Sequence, residues 1–513
     1  MPLPRWRRWL RLCATLIAVV AIALVVLAYG FGMRMEFDGS GSRPIISFES
    51  RNAHFAALER QRAAQRGRTP SSPPRADSGP GSGPAVPAPA GVTTPAAATT
   101  APVPVAANLP TPTVAPPAVA AAAPPDSGWA DFRGTRRDGV YTAQPTLRLP
   151  WGGEGPRPLW KQPIGEGYAS FVAARGRAFT IEQRRSQEVV TAYDIDSGRE
   201  LWAHGWNAQF SETMGGDGPR ATPVWHQGRV YALGATGELR SLRDSDGGLL
   251  WRQDILRDND APNLPWGMSA SPLVVDDKVI VLPGGPSGRS VVAYHKDTGA
   301  RVWSVLDDPQ AYTAPMVVTR LGVRQLLVVS ARRMIGLSIN DGGLLWEYPW
   351  VTDNGINASQ PIPIGDNRLF ISSGYGHGAA LVELSRDGDR WHTRTIWQNT
   401  RMKNQFTSSV LRDGFVYGLD QSILACVDVA TGELKWKGGR YGFGQLVLAG
   451  EHLIVLTERG ELALVRATPE SHQEVAITPA IDGKTWNHPA LVDGRLLVRN
   501  AREMAAFDLR PQR

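Results

Sequence analysis

Ala192-Tyr193-Asp194-Ile195-Asp196-Ser197-Gly198-Arg199-Glu200-Leu201-Trp202 decides the fold, because its pattern returns down the chain with glycine and tryptophan four residues apart. The register recurs at Ser241 to Trp251, Ala293 to Trp303, Gly336 to Trp346 and Ala425 to Trp436, with turn glycines Gly247, Gly299, Gly342 and Gly432. Degenerate copies fall at Leu381 to Trp391, around Gly388, and at Ala463 to Pro469, where proline replaces glycine. Successive turns lie 37 to 52 residues apart, the period of a four-stranded propeller blade. Each copy reads as an apolar strand, a polar turn with glycine where the backbone needs positive φ, and a second strand carrying tryptophan.

A second phrase precedes the hairpins, as in Thr222-Pro223 then Gly228-Arg229-Val230-Tyr231, and His488-Pro489 then Gly494-Arg495-Leu496-Leu497. It supplies another hairpin, hence four strands per period. The last strand, Met504 to Leu509, ends without its tryptophan, whereas Leu159-Trp160 stands near the start without a hairpin before it. Arg157 to Ile164 is therefore expected to complete an eighth blade and leave no open sheet edge. The expectation is an all-β, eight-bladed propeller of four-stranded antiparallel blades. Trp160, Trp202, Trp251, Trp303, Trp346 and Trp436 are read as the residues that dock blade on blade.

The first quarter of the chain reads differently. Residues 13 to 33 carry no charge and span about 30 Å as a helix, and Arg5, Arg7, Arg8 and Arg11 precede them. This favours a retained signal anchor over a cleaved signal peptide, with the basic end in the cytoplasm and all that follows outside it. Cys13 lies before the apolar run, so no lipoprotein cleavage site is present. Arg51 to Arg68 permits a short helix without a readable function, and residues 69 to 127 form a Pro/Ala/Thr/Ser/Gly tract expected to be an extended tether. Fully stretched, such a tether reaches on the order of 180 Å, allowing the propeller to stand well off a membrane. The expected organisation is a cytoplasmic N-terminus at 1–11, a transmembrane helix at 12–33, a juxtamembrane segment and disordered linker at 34–127, and a propeller at 128–513.

Net charge is +7, but residues 1–127 hold 12 Arg against 6 Asp and Glu, which leaves the propeller near neutral. With no basic stripe interleaved with aromatics, nucleic acid is not an expected partner. Cys13 and Cys426 are the only cysteines, so the propeller has no internal disulfide and relies on packing and ring closure. The histidines show no paired spacing for zinc, and no Gly-x-Ser-x-Gly elbow occurs.

The phrase Asp-x-x-[Ser/Thr]-Gly-x-x-x-Trp resembles the tryptophan-docking repeat of the pyrroloquinoline-quinone-type (PQQ-like) propellers, which include quinoprotein alcohol dehydrogenases and BamB, the propeller subunit of the outer-membrane β-barrel assembly machinery. The likeness runs from about residue 129 to 513, and Trp129-Ala130-Asp131-Phe132-Arg133-Gly134-Thr135-Arg136-Arg137-Asp138-Gly139 is similar to the opening segment of many PQQ-like bacterial propellers. For a dehydrogenase the resemblance implies a vicinal disulfide stacked on the quinone, a Ca²⁺-type ion held by acidic and amide oxygens, and an aspartate base. This chain has no adjacent cysteine pair and no Cys-x-x-Cys-His.

Charged residues interrupt apolar strands at one recurring end, at Glu182, Glu458 and Arg499, and a buried charge is costly unless paired or used. Because inner strands converge on the channel, these three are expected to meet near one mouth, with Arg220, Asn404 and His488 on nearby loops. Such a cluster suits either a structural ion-pair network or a pocket for a small ligand or peptide. Trp206, Phe210 and Trp266, on the non-repeating loops 207–219 and 254–268 or at their edge, read as an exposed partner surface.

Three functions follow as expectations. The first is a monomeric, non-catalytic scaffold in the bacterial inner membrane, single-pass, with the propeller in the periplasm or outside the cell and its rim loops on envelope proteins. The second is a dehydrogenase using PQQ with Ca²⁺; the first reading needs no cofactor and no metal. The third is a small-molecule or glycan sensor using the channel mouth.

Overall fold

The computed structural model describes residues 5–30, 33–39, 42–48, 51–66, 129–142, 147–152 and 155–511. The expected tether at 69–127 lies outside the described residues. Residues Met1–Gln65 and Pro125–Arg513 form one compact unit, and Arg66–Pro124 a second.

Eight antiparallel sheets close a propeller. Blade 1 consists of Val172–Ala174, Arg177–Arg184, Gln187–Asp194 and Glu200–Asn207, and the pattern repeats to blade 7, Gln445–Pro479. Blade 8 takes three strands from the chain end, Ala490–Val492, Arg495–Arg499 and Glu503–Asp508, and its fourth from Arg157–Pro163. The ring closes as the unmatched Trp160 predicts, with Trp160 opposite Ala506 just as Trp202 is opposite Ala192.

Glycine and tryptophan recur together for a reason beyond turn geometry. Most docking indoles lie on the turn glycine of the next blade: a Cβ on Gly247, Gly299 or Gly342 would stand 2.6, 2.9 or 2.9 Å from the ring of Trp202, Trp251 or Trp303. The indole N–H then donates to a carbonyl nearby in that blade, Trp202 to Asp244 at 2.9 Å, Trp251 to Lys296 at 2.8 Å and Trp436 to Thr468 at 2.8 Å. Trp346 also packs into the next blade but donates to Gln325 of its own, and Gly388 meets no indole. Blade 5 corrects the repeat as read from sequence. Its outer hairpin is lengthened to Gly378–Asp387 and Arg390–Asn399, and Trp397, not Trp391, stands opposite Leu381 and docks on Gly432.

The N-terminal region contains helix α1 (Arg5–Gly30), a hairpin of β1 (Arg34–Phe37) and β2 (Pro44–Ser47), and helix α2 (Arg51–Arg66). Among the described residues, no helix is long and apolar enough to cross a membrane. The described α1 side chains from Leu12 to Val26 include many exposed apolar ones. Gly39 and helix α2, read above as part of a juxtamembrane segment and linker, pack against the propeller. Helix α2 buries Phe55 and Leu58, stacks Arg62 over Tyr193 at 5.0 Å, and sets His54 Nε2 2.9 Å from the Ile164 carbonyl.

Candidate functional site

The central channel is occupied by the chain itself. Residues 129–139 enter among the inner strands, and β3 (Val140–Tyr141) adds a parallel fifth strand to blade 7 at Leu448 and Ala449. Positive φ at Arg133, Gly134, Arg137 and Gly139 coils this segment tightly enough to present two arginines inward. Arg133 donates to the Ser409 carbonyl at 2.9 Å, and Arg137 to those of Pro315 at 2.7 Å and Ser271 at 3.3 Å. Both guanidiniums are almost fully buried; their charge is met by carbonyl oxygens just ahead of the inner strands and, for Arg137, by the Asp131 carboxylate at 2.6 Å.

His488 lies edge-on to Phe132 with ring centroids 5.6 Å apart. Burial, then the Arg133 charge, hold its pKa well below the usual imidazole value, so it is neutral there. Its backbone carbonyl accepts from Ser170, which ties blade 8 to blade 1.

Of the three charges expected to meet, two do. Arg499 donates to the Gly165 carbonyl at 2.9 Å and to Thr180 at 2.8 Å, while Glu182 accepts from the Gly165 N–H. Burial alone would raise the Glu182 pKa, but Arg184, Arg499 and Arg62 outweigh it and hold the carboxyl below its ordinary value. Burial lowers the Arg499 pKa to about 10. This is a tie between blades 1 and 8, which Arg62 of α2 joins. Asn404 is likewise committed, accepting from Ser409 at 2.7 Å and donating to the Leu419 carbonyl at 3.1 Å.

Glu458 has different partners. Its Oε1 accepts from the Trp486 indole and from the backbone N–H of Gly39, each at 2.8 Å, and Oε2 accepts from the Phe443 N–H at 3.3 Å. Gly39, just after β1, thus sits in the mouth of the channel. It lies beyond Phe443, just before the start of strand Gln445–Ala449, whereas residues 139–141 meet the far end of that strand.

Of the aromatics read as an exposed partner surface, one needs correction. Trp206 is buried, with the Arg240 guanidinium 4.4 Å from its ring. Phe210 and Trp266 are half-buried: Arg220 stacks on Phe210 at 4.6 Å and on Tyr168 at 5.4 Å, and Trp266 packs on Tyr312. Arg220 also donates to the Gly218 and Gly216 carbonyls, so it shapes its loop.

A cavity of about 250 Å³, which the sequence did not suggest, opens between Met35 of the hairpin and Glu166, Tyr168, Glu212, Asp217 and Arg502. Two of its carboxylates, Glu166 and Asp217, are ion-paired with Arg51 of α2.

The chain has no adjacent cysteines, and no group of three or more His, Cys, Asp or Glu among the described residues is placed to hold a metal.

A family model described as outer membrane protein assembly factor BamB matches residues 186–438. The BamB of Bordetella pertussis is 23% identical over 291 residues, covering 55% of this chain and 68% of its own length. That of Moranella endobia is 23% identical over 265 residues, covering 48% and 62%, so this chain spans somewhat under two thirds of that relative. Among solved structures, BamB from Moraxella catarrhalis superposes with a TM-score of 0.50 at 16% identity, over 69% of this chain and 98% of that one. Quinohemoprotein alcohol dehydrogenase from Comamonas testosteroni gives 0.56 at 13% identity, over 76% and 81%. These structural likenesses establish the propeller fold.

Proposed function

We propose that this chain is a non-catalytic scaffold of the bacterial envelope, held at a membrane by α1 and binding protein partners through the outer surfaces of its blades and rim loops. The observation that carries the proposal is the filled channel. Arg133 and Arg137 bond carbonyls at the starts of inner strands in several blades, and Glu182, Asn404, Arg499 and Glu458 are spent on joining blades or on holding residue 39. A site for oxidising an alcohol needs a concave space with free acid–base groups. While residue 39 is docked, recognition falls to the outer surface, and the sequence likeness to BamB points the same way. The cavity beside Glu166 and Asp217 is the feature on which a small-ligand sensor would rest; Arg51 already satisfies both carboxylates there.

The test places photo-crosslinking residues at Gln209 and Pro265, both exposed on the rim, in the full-length chain within its native envelope. Discrete protein adducts are expected at these positions. A membrane preparation supplied with PQQ and Ca²⁺ should reduce no dye with alcohols or sugars. Saturable quinone binding with turnover would overturn the proposal.

A further inference from the structure

Gly39 is held in the channel mouth through its backbone. Gly39 is buried, and both propeller contacts to it use its backbone: its N–H donates to Glu458 at 2.8 Å and its carbonyl accepts from Gln405 Nε2 at 3.0 Å. Phe406, Phe443 and Trp486 form the surrounding wall, with Phe406 centred 5.5 Å from Phe443 and 4.8 Å from Trp486. Gln445 fixes this wall by donating to the carbonyls of Phe406 and Trp486, each at 3.1 Å. A Cβ on residue 39 would lie well inside contact distance of the Phe443 ring, so only glycine fits. The residues flanking this position also bond one another: the Asp38 N–H donates to the Arg43 carbonyl at 3.0 Å, and Asp38 Oδ1 accepts from the N–H groups of Ser42 and Arg43, each at 3.3 Å. One carboxylate, one amide and an aromatic wall thus read a backbone N–H and C=O where no side chain is allowed.

We propose that the channel mouth is a binding site for a glycine-bearing polypeptide turn, filled in cis by Gly39, so that the hairpin and α2 strap the propeller to the end of α1. Because the recognition is of backbone, the site accepts another turn of the same chemistry once Gly39 leaves. Met33 is six residues from Gly39, so the mouth stays close to α1 while the strap is docked. This inference does not depend on which outer surface binds a partner.

The test uses the full-length chain in detergent and a fluorescent peptide copying residues 33–48. In the wild-type chain the peptide should bind at least tenfold more weakly than in a Gly39→Val chain, whose mouth has been emptied. The same peptide carrying Gly39→Val should bind to neither, and a Gly39→Val/Glu458→Ala chain should lose the binding. Chymotryptic cleavage after Phe48, which is exposed, should quicken at least tenfold in Gly39→Val, and to a lesser degree in Gln405→Ala, with β-sheet content unchanged. Equal cleavage in wild type and both variants, or peptide binding indifferent to valine at position 39, would overturn the proposal whether or not the crosslinking experiment finds a partner.

Discussion

Gly299→Ala tests the reason for the glycine–tryptophan pairing. Gly299 has φ +74°, and an added Cβ would sit 2.9 Å from two ring atoms of Trp251, the indole of the preceding blade. Two penalties follow: about 1 kcal/mol for holding alanine in the left-handed region, and about 1–3 kcal/mol for the overpacked indole. Gly388 supplies an internal control, since its φ is +57° with no atom within 4 Å of an added Cβ. Gly388→Ala should therefore cost only the first, about 1 kcal/mol. In a Trp251→Ala background the clash is gone, and Gly299→Ala should fall to the same value, giving a coupling of about 1–3 kcal/mol in the double-mutant cycle. Urea unfolding of the four variants and the control, followed by circular dichroism and fluorescence with coincident transitions, measures this. If Gly299→Ala and Gly388→Ala cost the same and the cycle shows no coupling, turn geometry alone explains the glycine.

Trp303→Ala should destabilise by about 3–5 kcal/mol by opening a cavity between blades 3 and 4; an unchanged melting temperature would remove its docking role. Arg137→Ala should cost on the order of 3–5 kcal/mol by leaving Asp131 and several inner-strand carbonyls without a donor. Arg136→Ala, whose pair with Asp138 is exposed, should cost at most about 1 kcal/mol in the same assay. Burial raises the Glu188 pKa to about 7. Since the folded state then holds a proton that the unfolded state releases, this group's contribution should be fully present below the unfolded value near 4.5 and lost as pH rises to about 7. Glu188→Gln should match wild type at low pH and exceed it by up to about 3 kcal/mol above pH 8; parallel stability–pH curves would contradict this.

The ring was legible in the sequence because a propeller repeats its reasons: one turn and one indole suffice to count blades, and the odd Trp160 betrays the closure. Blade 5 escaped because docking is fixed by cross-strand register, opposite Leu381, while the eye follows linear spacing, and a lengthened hairpin separates the two. Trp206 was misread although the information was present. Strand side chains alternate, so a residue four beyond the inward Trp202 points inward as well. Glu182 and Arg499 were visible as charges interrupting apolar strands. Their common partner, the Gly165 peptide, is remote in sequence and appears only once the ring is closed. The strap was hidden by composition, since α2 buries Phe55, Leu58 and Arg62 at helical spacing on a face whose arginine reads as solvated. Gly39 lacks any side-chain signal at all.

The strap changes what the residues after it do. Were residues 34–127 one continuous spacer, chain length would set the separation of propeller and membrane under the proposed anchoring. With Gly39 in the mouth, the relevant span is Met33 to Gly39, which at full extension is on the order of 20 Å. The positions from 67 to 128 then connect a helix docked on blades 8 and 1 to the segment that fills the channel, and their number does not enter that distance. Releasing the hairpin while α2 holds frees the chain from residue 33 to 51, on the order of 60 Å; only loss of α2 as well brings the longer segment into play. A turn that competes with Gly39 would therefore do more than occupy a site, because binding at the mouth and the height of the propeller above the membrane are two readings of one equilibrium.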